Sequence, residues 1–457
     1  MDHRDNSTRW EGRTAASTMR SEGVSDEACP EGPTTPEGPI TTTPAQALYQ
    51  AAKKSRNRRC HALYDRIFRP DILWRAWREV RAHGGSAGAD GVSRADIERQ
   101  GGEAFLQARE PDRRAGSSRP QPVLRVSIPT PDGRQRPRGI PTVRDRVVHQ
   151  ACKIVIAPLF EANFPDTSYG FRPKRSATQA VKVVKEQLVS NWYVVDLDIE
   201  RFFDTIDHEL LLRLVARRIS DRRVLKLVRQ WLKAGMVEEG QWHPATVGSP
   251  QGGESSPVLS NIYLHVLDMY WEQQYSSLGH LTRYADDMVI VCRTRRDAEQ
   301  ALQAVTQVLQ RLKLTVHPSK TRIVDMKQAG FEFLGFHFHK GRARKSGKLV
   351  PLMWPGQKAM QAIRRQIRAQ TARRGLRETS AAMVAKLNPI IRGWRNYFRV
   401  GNSTKKLQDL DRYVRQRVVQ WVRARMKGRM APEQLHVVLR TSGLAYFSEP
   451  GRCGTRL

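Results

Sequence analysis

The chain has little of three things, and each scarcity narrows what it can be. Its five cysteines (Cys29, Cys60, Cys152, Cys292, Cys453) are widely spaced and form no CxxC pair. That pattern indicates neither a disulfide framework nor a zinc site and fits a reducing, intracellular compartment. Long apolar runs are missing, and the start MDHRDNSTRWEGR carries no signal-peptide core, so a soluble protein without a membrane partner is expected. Acidic residues are scarce: 45 Asp and Glu face 78 Lys and Arg, for a net charge of +33. Such an excess calls for a polyanionic partner, nucleic acid first. The few acidic groups cluster in strand and turn positions, which suits neither a ribosomal or chromatin-like binder nor a membrane-surface protein.

What is present suffices for real cores. With 457 residues, 39% of them apolar, and 10 Trp, the length suggests two to four domains, and no solenoid-length repeat is evident. Residues 1–45 are rich in Thr, Ser, Pro, Gly and Glu and read as a disordered leader. From Ala47 the pattern predicts a basic helix, ALYQAAKKSRNRRCHALYDRIF, and then DILWRAWREVRAHGG, stopped by a glycine pair. Beyond Gly341 the chain turns Arg-rich and helical. Its last clear helix has the apolar face Leu407, Leu410, Val414, Val418, Trp421 and Val422, with Arg412, Arg415, Arg417, Arg423 and Arg425 for RNA contact.

The chemistry is concentrated in LTRYADDMVIVC, where Asp286 and Asp287 stand together between two strand-like stretches. Like charges repel, so the pair implies a cation. In YVVDLDIERFFDTIDH, 88 residues before Asp286, a β-branched strand puts Val195, Leu197 and Ile199 on one side and Val194, Asp196 and Asp198 on the other. Carboxylates on a strand and on a hairpin tip can share Mg²⁺ ions, and two such ions clamp the oxygens of phosphoryl transfer. Asp286 and Asp198 are expected to bridge the ions and Asp287 to take an outer role.

Other segments supply supports. VLRVSIPTPDGRQRPRGIPT predicts a hairpin with Arg134, Arg136 and Arg138 near its bend, able to hold cations over a triphosphate. RDRVVHQACKIVIAPLFEANF predicts a helix with a core stripe of Val147, Val148, Ala151, Ile154 and Val155. In SPQGGESSPVLSNIYLHVLDMYWEQQY, Ser255 or Ser256 caps a helix, Pro257 sits in its first turn, and Leu259, Ile262, Tyr263, Val266 and Leu267 form the buried face. Gln251, Gly252 and Gly253 precede that helix, where bare backbone lets a nucleotide approach.

Set in order, these strings resemble a group II intron-encoded reverse transcriptase/maturase. The resemblance runs from about Leu48 to Arg425 and rests on GGSAGADGV, IPTPDGRQRPRGIPTVRDRVV, SYGFRP, DIERFFDTIDH, SPQGG, YADD, HPSKT, FLGF and LNPIIRGWRNYF. It implies an α+β right-hand polymerase: fingers and an antiparallel-sheet palm over residues 46–345, a helical thumb and maturase module over 346–430, and a tail from 431. It implies Asp198, Asp286 and Asp287 as catalytic metal-binding carboxylates, assisted by the Ile199 carbonyl, with two Mg²⁺ ions that Mn²⁺ could replace. It also settles Asp198 over Asp196, because Phe203 then falls where the family carries a gate against a 2′-OH. For the dNTP it implies Arg136, Phe203, Gln251 and Gly252, with Lys320 donating a proton to pyrophosphate. FLGF matches the primer grip. Arg392, Trp394, Arg395 and Tyr397 of RGWRNYF, with Arg412 and Arg415, would bind RNA. Implied partners are group II intron RNA, a DNA target or primer and dNTPs in a bacterial cytoplasm; a homodimer is left open.

The chain departs from the family pattern at Thr130, where a lysine is usual, and at Glu254 and Ser255, where apolar residues are usual. A splicing maturase with weakened or lost polymerase activity, or a host-adopted reverse transcriptase, are the alternatives. The residues after Lys427 offer only His436 and Cys453, so no HNH endonuclease is expected.

Overall fold

The computed structural model describes residues 44–108, 111, 119–129, 135–249, 252–343, 346–372, 376–426 and 443–448. The predicted leader up to residue 43, Thr130, Gln251 and nearly all of the tail lie outside that set; Pro44 and Ala45, the last two leader residues, open a helix instead. Two compact units are present: one comprises residues up to Phe164 together with Phe203–Tyr263, the second Pro165–Phe202 together with residues from Leu264 onward.

Unit 1 is mainly helical around the helix Val143–Glu161, whose stripe Val147, Val148, Ala151, Ile154 and Val155 is buried as the spacing predicts. Its sheet has the order β2-β1-β4-β5, from β1 (Val123–Pro129), β2 (Gln135–Ile140), β4 (Met236–Glu238) and β5 (Gln241–His243). β1 and β2 form the predicted hairpin, pairing from Leu124 with Ile140 to Pro129 with Gln135.

The single basic helix expected from Ala47 onward is a pair of helices instead, Pro44–Lys54 and Tyr64–Ile67. Two charges about 160 residues away in sequence cause the break. Arg218, buried, donates to the carbonyls of Ala52, Ser55 and Arg56. Asp221 accepts from the Leu63 and Tyr64 amides at 2.8 Å each, and Cys60 bridges to Ile219. Cys152 and Cys292 are free and buried.

Unit 2 contains an antiparallel sheet of order β6-β7-β3-β8, from β3 (Tyr193–Leu197), β6 (His280–Tyr284), β7 (Asp287–Cys292) and β8 (Arg322–Asp325). A three-stranded sheet of β9 (Phe331–Phe333), β10 (Phe336–Arg342) and β11 (Leu349–Pro355) follows. One core joins Val194, Val289, Val291, Phe331, Phe336 and Phe398. A second lies among the helices Gln357–Gln370, Ser380–Phe398 and Thr404–Arg425, and all six residues of the predicted face Leu407 to Val422 are buried in it. No helix among the described residues is long and apolar enough to cross a membrane.

Candidate active site

In unit 2, β3 and β7 pair as far as Leu197 with Met288. Asp198, next along β3, therefore comes level with Asp287, the first residue of β7. Tyr284 pairs with Asp287, leaving Ala285 and Asp286 as a two-residue turn. Ala285 adopts φ +59°, the left-handed conformation such a hairpin turn requires and one that costs a residue with a side chain.

A fully buried charge pair holds that turn. Arg283 Nε donates to Asp268 Oδ1 at 2.7 Å, its Nη2 donates to Oδ2, and its Nη1 donates to the Ala285 carbonyl at 3.0 Å. Both side chains are 0% exposed. On the other side SYGFRP runs along β6: the Tyr169 amide donates to the Arg283 carbonyl at 2.8 Å, and the Arg283 amide to Thr167 at 2.9 Å. A Cβ on Gly170 would stand 2.2 Å from the Ala285 nitrogen, so glycine is what lets this segment close on the turn. Sequence reasoning missed Asp268 and Arg283. The available signal was one charge of each sign in otherwise uncharged stretches, Asp268 in NIYLHVLDMYW and Arg283 in LTRYA.

The acidic residues are electrostatically coupled. The Asp287 carboxyl is pushed up to about 6 by desolvation, then by repulsion from Asp286, Asp198 and Asp196, with Lys320 opposing. Because the Asp287 side chain reaches the surface, repulsion from three like charges is the firmer cause, since it needs no burial. Asp198 is fixed on every side: its amide donates to Thr321 Oγ1 at 3.2 Å, its carbonyl accepts from the His317 amide at 2.8 Å, and Lys320 Nζ donates to its Oδ2 at 2.9 Å. Ile199 bridges to Val316. Asp196 has a different partner, Arg322 Nε at 3.3 Å, and its carboxyl is raised first by burial.

Hard oxygen donors that repel one another suit Mg²⁺. Among the described residues no three His, Cys, Asp or Glu side chains stand in ready ligating geometry. Lys320 compensates Asp198 in their place. The carboxylates Asp198, Asp286 and Asp287, which repel one another, are of the donor type that a hard divalent cation takes.

Of the expected nucleotide-side residues, unit 1 holds Phe203, Gly252 and the backbone of Arg136 among the described residues. The Ser249 amide donates to the Phe203 carbonyl at 2.7 Å, and the Gly248 amide to that of Ile206 at 2.9 Å, latching the SPQGG loop onto the short helix Phe202–Thr205. Gly252, at φ +135°, lies where a Cβ would come 2.2 Å from the Gly139 carbonyl of β2, the strand that carries Arg136. The departure at Glu254 has partners of its own: His83 Nδ1 lies at 3.6 Å, and the Arg146 guanidinium interacts with it.

In the helical part of unit 2, the aromatics of RGWRNYF face inward. Trp394 packs against Phe398 and Phe447 at 4.3 and 5.4 Å between ring centroids. Tyr397 donates to the Leu334 carbonyl of FLGF at 2.9 Å, and burial pushes its hydroxyl up to about 12. Arg392, Arg412 and Arg415 are exposed, and Arg412 pairs with Asp409. A cavity of about 440 Å³ on this module is lined by Gln361, Arg364, Arg365, Arg368 and Tyr413, residues that sequence reasoning passed over.

Residues 128–338 match the family described as reverse transcriptase (RNA-dependent DNA polymerase), and residues 360–436 match the group II intron, maturase-specific domain. Protein YkfC of Escherichia coli (strain K12) is 34% identical over 332 residues, 64% of this chain and 87% of YkfC. The group II intron-encoded protein LtrA of Lactococcus lactis subsp. cremoris is 34% identical over 239 residues, 50% of this chain and 38% of LtrA. The putative COX1/OXI3 intron 1 protein of Saccharomyces cerevisiae is 26% identical over 306 residues, 55% of this chain and 35% of that protein. With a reverse transcriptase domain, a maturase domain and these relatives, the chain belongs to the family of group II intron-encoded reverse transcriptases and maturases.

Proposed function

We propose that the protein binds a group II intron RNA, promotes its splicing and copies it into DNA from a primer, using dNTPs, in a bacterial cytoplasm. In this reading residues 46–345 act as fingers and palm and residues 346–430 as thumb and maturase module. The observation that carries it is the meeting of Asp198, Asp286 and Asp287 at the ends of adjacent antiparallel strands, on a turn locked by Arg283 and Asp268.

Asp198, Asp286, Asp287 and the Ile199 carbonyl would hold two Mg²⁺ ions. When bound, such ions lower the pKa of the primer 3′-hydroxyl and neutralise charge on the leaving pyrophosphate. The rest is the chain's own work. Lys320, 2.9 Å from Asp198, would donate a proton to the departing pyrophosphate. Phe203, anchored through its carbonyl to Ser249, presents a ring to the sugar and disfavours a 2′-OH. Gly252 gives a nucleotide access to backbone beside β2. Exposed Arg392, Arg412 and Arg415, with the cavity arginines Arg364, Arg365 and Arg368, hold RNA phosphates.

Asp286→Asn tests the assignment by primer extension on an RNA template with dNTPs and Mg²⁺. Synthesis is expected to fall about a hundredfold or more, the size of several kcal/mol of lost transition-state stabilisation, with intron binding and splicing intact. A parent that binds intron RNA and extends no primer would instead establish a maturase without polymerase activity.

A further inference from the structure

Phe171 of SYGFRP is 51% exposed and holds φ +59°, and Lys174 holds +60°. Water disfavours the first property of Phe171 and backbone sterics the second, so a large apolar residue bearing both is a costly choice. The neighbours explain how the loop is held without using that ring. Gly170 closes on Ala285. Arg172, itself buried, donates to the Ser168 carbonyl at 2.6 Å and to that of Pro165. Arg175 lies over the Tyr169 ring and pairs with Asp166. Outside, the Phe171 ring centroid stands 6.5 Å from that of Tyr284, the residue paired with Asp287.

We propose that Phe171 is a nucleic-acid contact, its ring laid against the sugar and base edge of the template–primer duplex at the growing end. The inference rests on the polymerase reading and extends it to a residue outside the carboxylates and the nucleotide loop. A strand whose 3′ end reacts at Asp198, Asp286 and Asp287 must pass the turn beside which Phe171 sits. An A-form duplex offers there a wide, shallow minor groove of sugars and base edges, which an uncharged ring can cover and a lysine cannot. Lys174, exposed three residues on, is placed for the phosphates. Rigid anchoring of Gly170 and Arg172 keeps the exposed ring in register with the turn.

Phe171→Gly removes the ring and also relieves the backbone, because glycine accepts φ +59° without cost; Phe171→Tyr keeps the ring. The glycine variant is expected to melt at or above the parent Tm while its KM for template–primer rises about tenfold and its KM for dNTP stays put, the tyrosine variant staying within about twofold of the parent. A 2-aminopurine placed in the terminal base pair should change fluorescence on binding the parent and Phe171→Tyr, but not Phe171→Gly. An unchanged template–primer KM and an unchanged 2-aminopurine response in Phe171→Gly would overturn the contact. The parent's own primer extension separates the two readings: a parent that extends no primer yet gives a Phe171-dependent 2-aminopurine signal would sink the polymerase and leave the contact standing.

Discussion

Both units close off buried charge, but only unit 2 sets an open cluster of carboxylates beside it among the described residues. In unit 1 buried charges are closed off by fixed neighbours: Arg218 by the carbonyls of Ala52, Ser55, Arg56 and Leu159, Asp221 by the amides of Leu63, Tyr64 and Arg223, and Asp145 by the Thr142 hydroxyl at 2.8 Å and the Gln121 amide at 3.1 Å. These groups pin loops to helices, and nothing in them asks for a ligand. Unit 2 closes Arg172 on the Ser168 and Pro165 carbonyls and Arg283 on Asp268 in the same way, but next to that pair it keeps an open set in which Asp287 is raised by burial and by three other carboxylates. Closed charge fixes the geometry that open charge then needs. The contrast separates a charge that builds the fold from a charge that waits for a cation.

The largest expected effect comes from opening the closed pair. Asp268→Ala would strand a guanidinium that is 0% exposed, a loss of about 3–5 kcal/mol in denaturant unfolding. Replacing both partners, Asp268→Leu with Arg283→Met, should recover most of that stability, since a buried pair is often no better than apolar residues of similar volume. The double variant still lacks the Nη1 bond to the Ala285 carbonyl, so primer extension should stay about tenfold or more below the parent. Full recovery of synthesis together with stability would show that the pair supports the fold alone.

This part of the molecule also marks where sequence stopped being readable. The β-branched run around Val195, the hairpin at Ala285, and the helical faces Val147–Val155 and Leu407–Val422 were legible because periodicity reports burial of apolar side chains. Asp268, Arg283 and the break after Lys54 were not, because a buried charge has no periodic signature and its partner lies far away in sequence. Gly170 belonged to a matching string, but only the structure gives its reason, a 2.2 Å approach to Ala285. At RGWRNYF the motif drew attention to RNA, while Trp394 and Tyr397 pack inward and the cavity arginines sit one helix earlier.

A middle-sized effect distinguishes unit 1. His149 is buried against Trp231, with ring centroids 4.2 Å apart, and desolvation pushes its pKa down to about 3. The unfolded chain takes up that proton near pH 6.5, while the folded chain refuses it until about 3. Its contribution is therefore fully present above pH 6.5 and is lost progressively as pH falls toward 3. At pH 5.5 the loss is about 1.4 kcal/mol. Asp145, raised by burial, runs the other way, so the comparison needed is parent against His149→Phe, which keeps a ring on Trp231 and cannot titrate. The variant should show a shallower fall in denaturation midpoint between pH 7.5 and 5.5. Parallel falls would mean that His149 opens to solvent before unfolding.

The smallest effect on stability belongs to the charge that neither closes a loop nor awaits a metal. Arg364, Arg365 and Arg368 are exposed along one face of the helix Gln357–Gln370, and Arg364 also lies over the Tyr413 ring at 5.7 Å. Changing all three to Ala should shift unfolding by no more than about 0.5 kcal/mol, as exposed positions usually do. The cost should appear in RNA binding, with the slope of log K against log salt falling by about two to three if each guanidinium meets a phosphate. Asp268→Ala inverts that pattern: fold lost first, binding only in consequence. If the triple variant instead unfolded early while its salt slope held, the cavity would belong with unit 1's closed charges, and the division between charge that builds and charge that binds would fail where the helices, rather than the sheet, carry it.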